Sequence, residues 1–101
     1  MPGVTAVHWT PFGPDRVELK GAGAAVRQIQ GRAGQTVPRH EHPFEQFVFV
    51  ISGQGRLECE AGAIPLEPGT ALHLEPGAWH SAAFTADTVL LEVNLAETTR
   101  S

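Results

Sequence analysis

At 101 residues the chain predicts a single domain with a modest core, and its 42% hydrophobic and 18% charged residues describe a globular rather than a disordered polypeptide. A net charge of −4 and one lysine, Lys20, exclude the clustered positive surface that nucleic acid requires, and no apolar run approaches the roughly 20 residues that span a bilayer. Cys59 is the only cysteine, so no disulfide closes within the chain, and with no basic and apolar leader at the N-terminus a reducing cytoplasm is expected.

With 11 glycines and 8 prolines, short strands joined by turns are favoured over helices. Residues 1–14 carry Pro2, Pro11 and Pro14 and read as a loose arm with one strand near residues 7–10. A short strand is expected at 17–19, and the alternating segment 24–30 reads as another, ending at Gly31. Residues 34–38 lead into a histidine run. Residues 47–51, Phe-Val-Phe-Val-Ile, are the strongest strand signal, all aromatic or β-branched. Ser52-Gly53-Gln54-Gly55 ends that strand in a hairpin-like turn. Residues 56–60 alternate apolar and charged side chains, as a half-buried strand does. Further strands are expected at 63–66, 70–74, 79–84 and 88–95, separated by Ala61-Gly62, Glu67-Pro68-Gly69 and Glu75-Pro76-Gly77. No helical period is sustained and no repeat is visible. About eight to ten short strands at this spacing predict an all-β sandwich or barrel. The expected division is an arm with an edge strand over 1–19, a barrel over 20–95 and a frayed end over 96–101.

The chemistry concentrates in His40-Glu41-His42-Pro43-Phe44-Glu45-Gln46. If this stretch is extended, His40, His42 and Gln46 share a face, with Pro43 free to break the strand between them. Two imidazoles and an amide oxygen on one face form half of a metal site, which a ligand from another strand, with His80 at hand, could complete. On their own, the two histidines could equally be solvated side chains at a strand end. The same parity turns Val48 and Val50 inward and Phe47, Phe49 and Ile51 outward. Three bulky apolar groups on an outer face need cover, which predicts a homodimer. Glu45 has the opposite parity and faces out.

The glycine frame around these residues resembles the cupin superfamily. Gly34, five residues, His40-x-His42, three residues, Gln46, six residues and Gly53 follow the first cupin motif, with Gln46 where most members carry Glu. Gly69, five residues, Glu75-Pro76-Gly77, two residues and His80 keep the spacing of the second, with Glu75 for the usual Pro and, three intervening residues after His80, Phe84 for the usual Asn. The pattern covers roughly residues 20–95 and is most similar to small single-domain cupins of the pectin-degradation (KdgF-like) type. It implies an antiparallel β-barrel of the jelly-roll, double-stranded β-helix type. It also implies a metal held by His40, His42, Gln46 and His80.

With Gln46 for Glu, three neutral imidazoles and an amide leave the charge of a divalent ion uncancelled. That makes the ion a stronger Lewis acid, attractive to anions, and favours Zn, Ni, Fe, Cu or Co, with Mn also within the family's range. Arg27, Val48, Val50, Trp79 and Phe84 are the candidate pocket residues, with Arg27 placed to meet a substrate carboxylate. Glu58 and Glu92 lie on strands and are the candidates for a general base inside the barrel, although both are expected to face solvent, and His73 and His8 lie outside the site. Cys59 reads as a small hydrophobe. These features imply a metal-dependent enzyme acting on a small oxygenated, anionic molecule, with isomerisation of a sugar-derived acid favoured. An oxygen-dependent dioxygenase is the alternative within that class, and a binding or sensor cupin without turnover is the alternative outside it.

Overall fold

Segments rich in β-branched and aromatic residues, cut every few positions by Gly or Pro, leave no length for a helix, and none occurs among the described residues of the computed structural model, 3–10 and 18–96. Nine strands are described: β1 (Glu18–Lys20), β2 (Ala24–Gly31), β3 (Thr36–His40), β4 (Gln46–Ser52), β5 (Gly55–Cys59), β6 (Gly62–Leu66), β7 (Ala71–Leu74), β8 (His80–Phe84) and β9 (Thr88–Leu95). They form a five-stranded sheet in the order β1-β2-β9-β4-β7 and a four-stranded sheet in the order β3-β8-β5-β6, every pairing antiparallel. This is the expected jelly-roll barrel of two facing sheets.

Two expectations fail. Residues 7–10 form no strand; the Thr10 carbonyl instead accepts a hydrogen bond from the Gln28 side chain at 3.3 Å, so this part of the arm meets β2 without joining its ladder. Residues 34–38 are more than a lead-in, because β3 begins at Thr36 and runs to His40. Val17, Pro2, Pro11, Pro14 and residues 97–101 lie outside the described residues.

The inner faces meet in three rows. Nearest one end, Gln46 sits opposite Asn94 and Leu74 in the larger sheet, while His40 sits opposite His80, and His80 opposite Cys59, in the smaller. The middle row aligns Arg27, Glu92, Val48 and Leu72 against Ala82, Leu57 and Ile64. The third sets Ile29, Leu90 and Val50 against Phe84, Gly55 and Leu66. Val48, Val50, Leu57, Leu66, Leu74, Phe84 and Leu90 form the buried core. The alternation along β4 is as expected: Val48 and Val50 are buried, while Phe49 is 39% and Ile51 55% exposed.

A register shift between Val37 and His40 adjusts β3. Three residues on β3 span the two between Ala82 and His80, so Val37 and His40, of opposite parity, can both line the interior.

Gly53, the last glycine of the first motif, closes the turn after β4 with φ +102, and a Cβ there would lie 2.3 Å from Thr88 Oγ1 and 2.5 Å from the Asp87 carbonyl oxygen. Thr88 is fully buried, and its hydroxyl donates to the Ala86 carbonyl at 2.8 Å, so it cannot retreat cheaply. Gly53→Ala should therefore cost about 2–4 kcal/mol and lower the thermal midpoint by about 10 °C or more. Gly34→Ala, at φ +86 with nothing within 4 Å of the added Cβ, should cost only the backbone strain of about 1 kcal/mol. Thermal denaturation of the two variants side by side checks this, and equal midpoints would contradict it.

Candidate metal centre

His40 ends β3 and His80 begins β8, and the pairing of these strands puts them side by side. His42 lies in the connection between β3 and β4, which crosses from one sheet to the other. His40 and Gln46 therefore do not share one extended strand face, as the sequence reading supposed; they face each other from opposite sheets. The second motif secures the histidine loop, since the Gly77 N–H donates to the His42 carbonyl at 2.8 Å. Gly77 holds φ +82 in the Glu75-Pro76-Gly77 turn that makes this possible. Phe44 stacks on the His42 ring at 4.7 Å and 11°.

The three imidazoles converge. Ring centroids are 4.2 Å apart for His40 and His80, 4.8 Å for His40 and His42, and 5.4 Å for His42 and His80. One nitrogen from each falls within 4.8 Å of the others, close enough for a single ion. The backbone sets the tautomer of two of them. His40 Nδ1 lies 2.8 Å from the Pro38 carbonyl and His80 Nδ1 3.0 Å from the Ala78 carbonyl. A carbonyl only accepts, so each Nδ1 carries the hydrogen and each Nε2 keeps its lone pair for a metal. The donor chemistry fits a divalent ion on these observations.

Gln46 is buried, and its Nε2 donates to Asn94 Oδ1 at 2.8 Å. This bond engages the amide nitrogen and leaves the amide oxygen as the atom able to meet a cation. Gln46, His40 and His80 all line a cavity of about 300 Å³ between the sheets.

Arg27, Val48 and Phe84 line the same cavity. Val50 is buried in the core and is not among the lining residues. Trp79 is not in this wall either; Arg39 lies over its ring, 4.0 Å from the centroid, and one residue of parity separates this pair from His40 and His80. Glu58 faces out and pairs with Arg56 at 3.1 Å, and Glu45 pairs with His73 at 2.5 Å in an exposed position, both as expected. Glu92 corrects the sequence reading. It lines the cavity and accepts a hydrogen bond from Arg27 Nη2 at 2.9 Å. Asn94 had drawn no attention in the sequence, although its place two residues from Glu92 puts both on one strand face.

Burial lowers the pKa of His42 below the ordinary value of 6.5, and the neighbouring His40 and His80 lower it further, partly opposed by the Glu92 carboxylate. Burial likewise lowers His80, against the opposing Ala78 carbonyl bond. Both are neutral at neutral pH, the state a metal needs.

The chain belongs to the cupins. The Cupin_2 family model, described as a cupin domain, matches residues 30–94. Among solved structures, KdgF from Halomonas sp. aligns with a TM-score of 0.76 at 18% identity, over 91% of this chain and 90% of that one. A candidate mannose-6-phosphate isomerase from Ralstonia eutropha JMP134 aligns with a TM-score of 0.74 at 26% identity, over 92% of this chain and all (100%) of the other. Ectoine synthase from P. lautus aligns with a TM-score of 0.72 at 22% identity, over 83% of this chain and 63% of that one. No curated protein matches the chain significantly.

The lowered histidine values give the metal-free protein a pH dependence. Below about 6.5 the unfolded chain binds protons that the folded site refuses. Stability is thus fully present above that value and declines as the pH falls from it toward the lowered folded values. Urea unfolding of metal-stripped protein should give a falling midpoint from pH 7.5 to 5, with a shallower fall in His42→Ala. A flat or rising midpoint would contradict the site's electrostatics.

Proposed function

We propose that this cupin is a metal-dependent enzyme acting on a small, oxygenated, anionic molecule, with His40, His42, His80 and Gln46 as the ligands of a divalent transition metal. The observation that carries the reading is the convergence of three imidazoles, two of which, His40 and His80, keep Nε2 free and line a cavity that also holds an arginine and a carboxylate. A metal bound there would supply a Lewis acid that polarises a carbonyl or lowers the pKa of a bound water.

The chain's own residues supply the rest. Arg27 presents a cation to a substrate anion. Glu92 is a carboxylate inside the cavity that can accept a proton from one carbon and return it to the next, as an isomerisation requires. An inward carboxylate is what a non-catalytic binding protein has least need of, so Glu92 favours turnover over mere binding. An isomerisation, the reaction class that the motif resemblance implies, would use these same parts, and the cavity lining decides which acids fit.

Protein purified without a metal-affinity tag should contain about one transition-metal ion per chain by elemental analysis, and His42→Ala should lose at least 10-fold in metal affinity. Absence of metal from both proteins, even after incubation with zinc, nickel or iron, would refute the reading.

A homodimer belongs to the same proposal. The outer face of β4 exposes Phe49 and Ile51, flanked by Leu91 and Val93 of β9, which a second copy would cover. Size-exclusion chromatography with light scattering should return twice the 10.8 kDa chain mass, and Phe49→Glu with Ile51→Glu should return the single mass. A monomer mass for the unaltered protein would dismiss the dimer.

A further inference from the structure

We infer that the ligand of this cavity is a short aliphatic 2-oxo or 2-hydroxy carboxylate rather than a polyhydroxylated acid, an inference that rests on the metal-site reading above. The cavity is polar on one side and apolar beneath. Below the row of His40, His80 and Gln46, the only charged lining residues are Arg27 and Glu92, side by side on β2 and β9. Beyond them the lining is aliphatic or aromatic over Leu57, Leu66, Leu72, Phe84 and Leu90, with the amides of Gln30 and Gln35 as polar exceptions, the Gln35 Oε1 already accepting from the Arg32 N–H at 2.8 Å. A hydroxyl carried against those apolar side chains would give up water for no partner, which costs free energy, whereas each methylene buried there adds about fourfold to affinity.

Arg27 has donors to spare. Its guanidinium carries five N–H bonds, and Glu92 is its one hydrogen-bond partner among the described residues, through Nη2 alone. Its Nε is sealed from solvent with no acceptor, so the group is under-used as a purely structural ion pair. A carboxylate entering beside Arg27 gains a charge-assisted partner. An oxygen on the adjacent carbon then faces the histidine row, and the chain beyond reaches the apolar floor. Size agrees with this arrangement. A cavity of about 300 Å³ has room for an acid of about four to six carbons.

The test is calorimetric titration of the zinc-loaded protein with glyoxylate, 2-oxobutanoate, 2-oxopentanoate, gluconate and the neutral 2-pentanone, with zinc content measured on the same samples. Affinity should rise about fourfold per methylene through the oxo acids. 2-Oxopentanoate should bind at least tenfold more tightly than gluconate or 2-pentanone. Arg27→Lys, which keeps the charge but loses the planar fork, should weaken 2-oxopentanoate at least fivefold with zinc content unchanged. Gluconate binding as tightly as 2-oxopentanoate, an affinity independent of chain length, or an unaltered affinity in Arg27→Lys would each overturn the inference. If the protein takes up no zinc, nickel or iron, the metal-site reading fails. The same series on that metal-free protein then decides the inference separately: it survives if the chain-length order and the Arg27 dependence persist and falls if they do not.

Discussion

The register between β4 and β9 governs the interior of this barrel. Gln46 meets Asn94, Val48 meets Glu92 and Val50 meets Leu90. A slip of one residue would turn the whole set outward, because strand side chains alternate with a period of two. That single pairing gives Gln46 a fixed amide orientation and brings the Glu92 carboxylate within reach of Arg27, which β2 delivers opposite it. In the smaller sheet the pairing of β3 with β8 does the equivalent work for His40 and His80. The centre exists only where the two registers face one another, so its geometry is a property of the closed barrel and of no single segment.

The two motifs cooperate through backbone as well as side chains. His42 is outside any strand, and its position depends on the Gly77 N–H, a group of the second motif. The glycines that frame the motifs therefore serve geometry: Gly77 reaches a left-handed conformation to place its N–H, and Gly53 makes room for Thr88. This explains how Glu75 can stand in the second motif, since the contact that matters runs through backbone.

Much of the architecture was legible because it rests on local chemistry. The segment at 47–51 can be little other than a strand, and the turns at Gly53, Gly62, Gly69 and Gly77 all use positive φ that glycine supplies. The histidines were legible from their spacing, although the supposed route, one extended face, was wrong; residues 41–45 cross between sheets. What escaped was the inward polar row of β9, Glu92 and Asn94. In β9 the odd positions Val89, Leu91, Val93 and Leu95 are all apolar and read as the core face, which sends Glu92 and Asn94 to solvent. The structure turns the even row inward, because β9 lies between β2 and β4, whose facing residues are Arg27 and Gln46. A polar residue is stable inside when its partner arrives from a neighbouring strand, and no single segment records that partner.

The same pairing changes the meaning of Gln46. Considered alone, an amide in place of a carboxylate removes a negative charge from a metal site. Within the cavity a carboxylate is present after all, one row deeper, as Glu92, and its charge is matched by Arg27 at 2.9 Å. The three imidazoles and the amide are neutral, so the ion pair leaves the charge of a bound divalent cation without a counter-charge from the wall. Were a divalent ion held there as proposed, an anionic ligand would balance it, and an amide at position 46 with the carboxylate one row deeper leaves room for one. A glutamate at position 46 would cancel half of that charge and compete with the incoming anion, so the departure from the usual motif and the inward ion pair serve one electrostatic end.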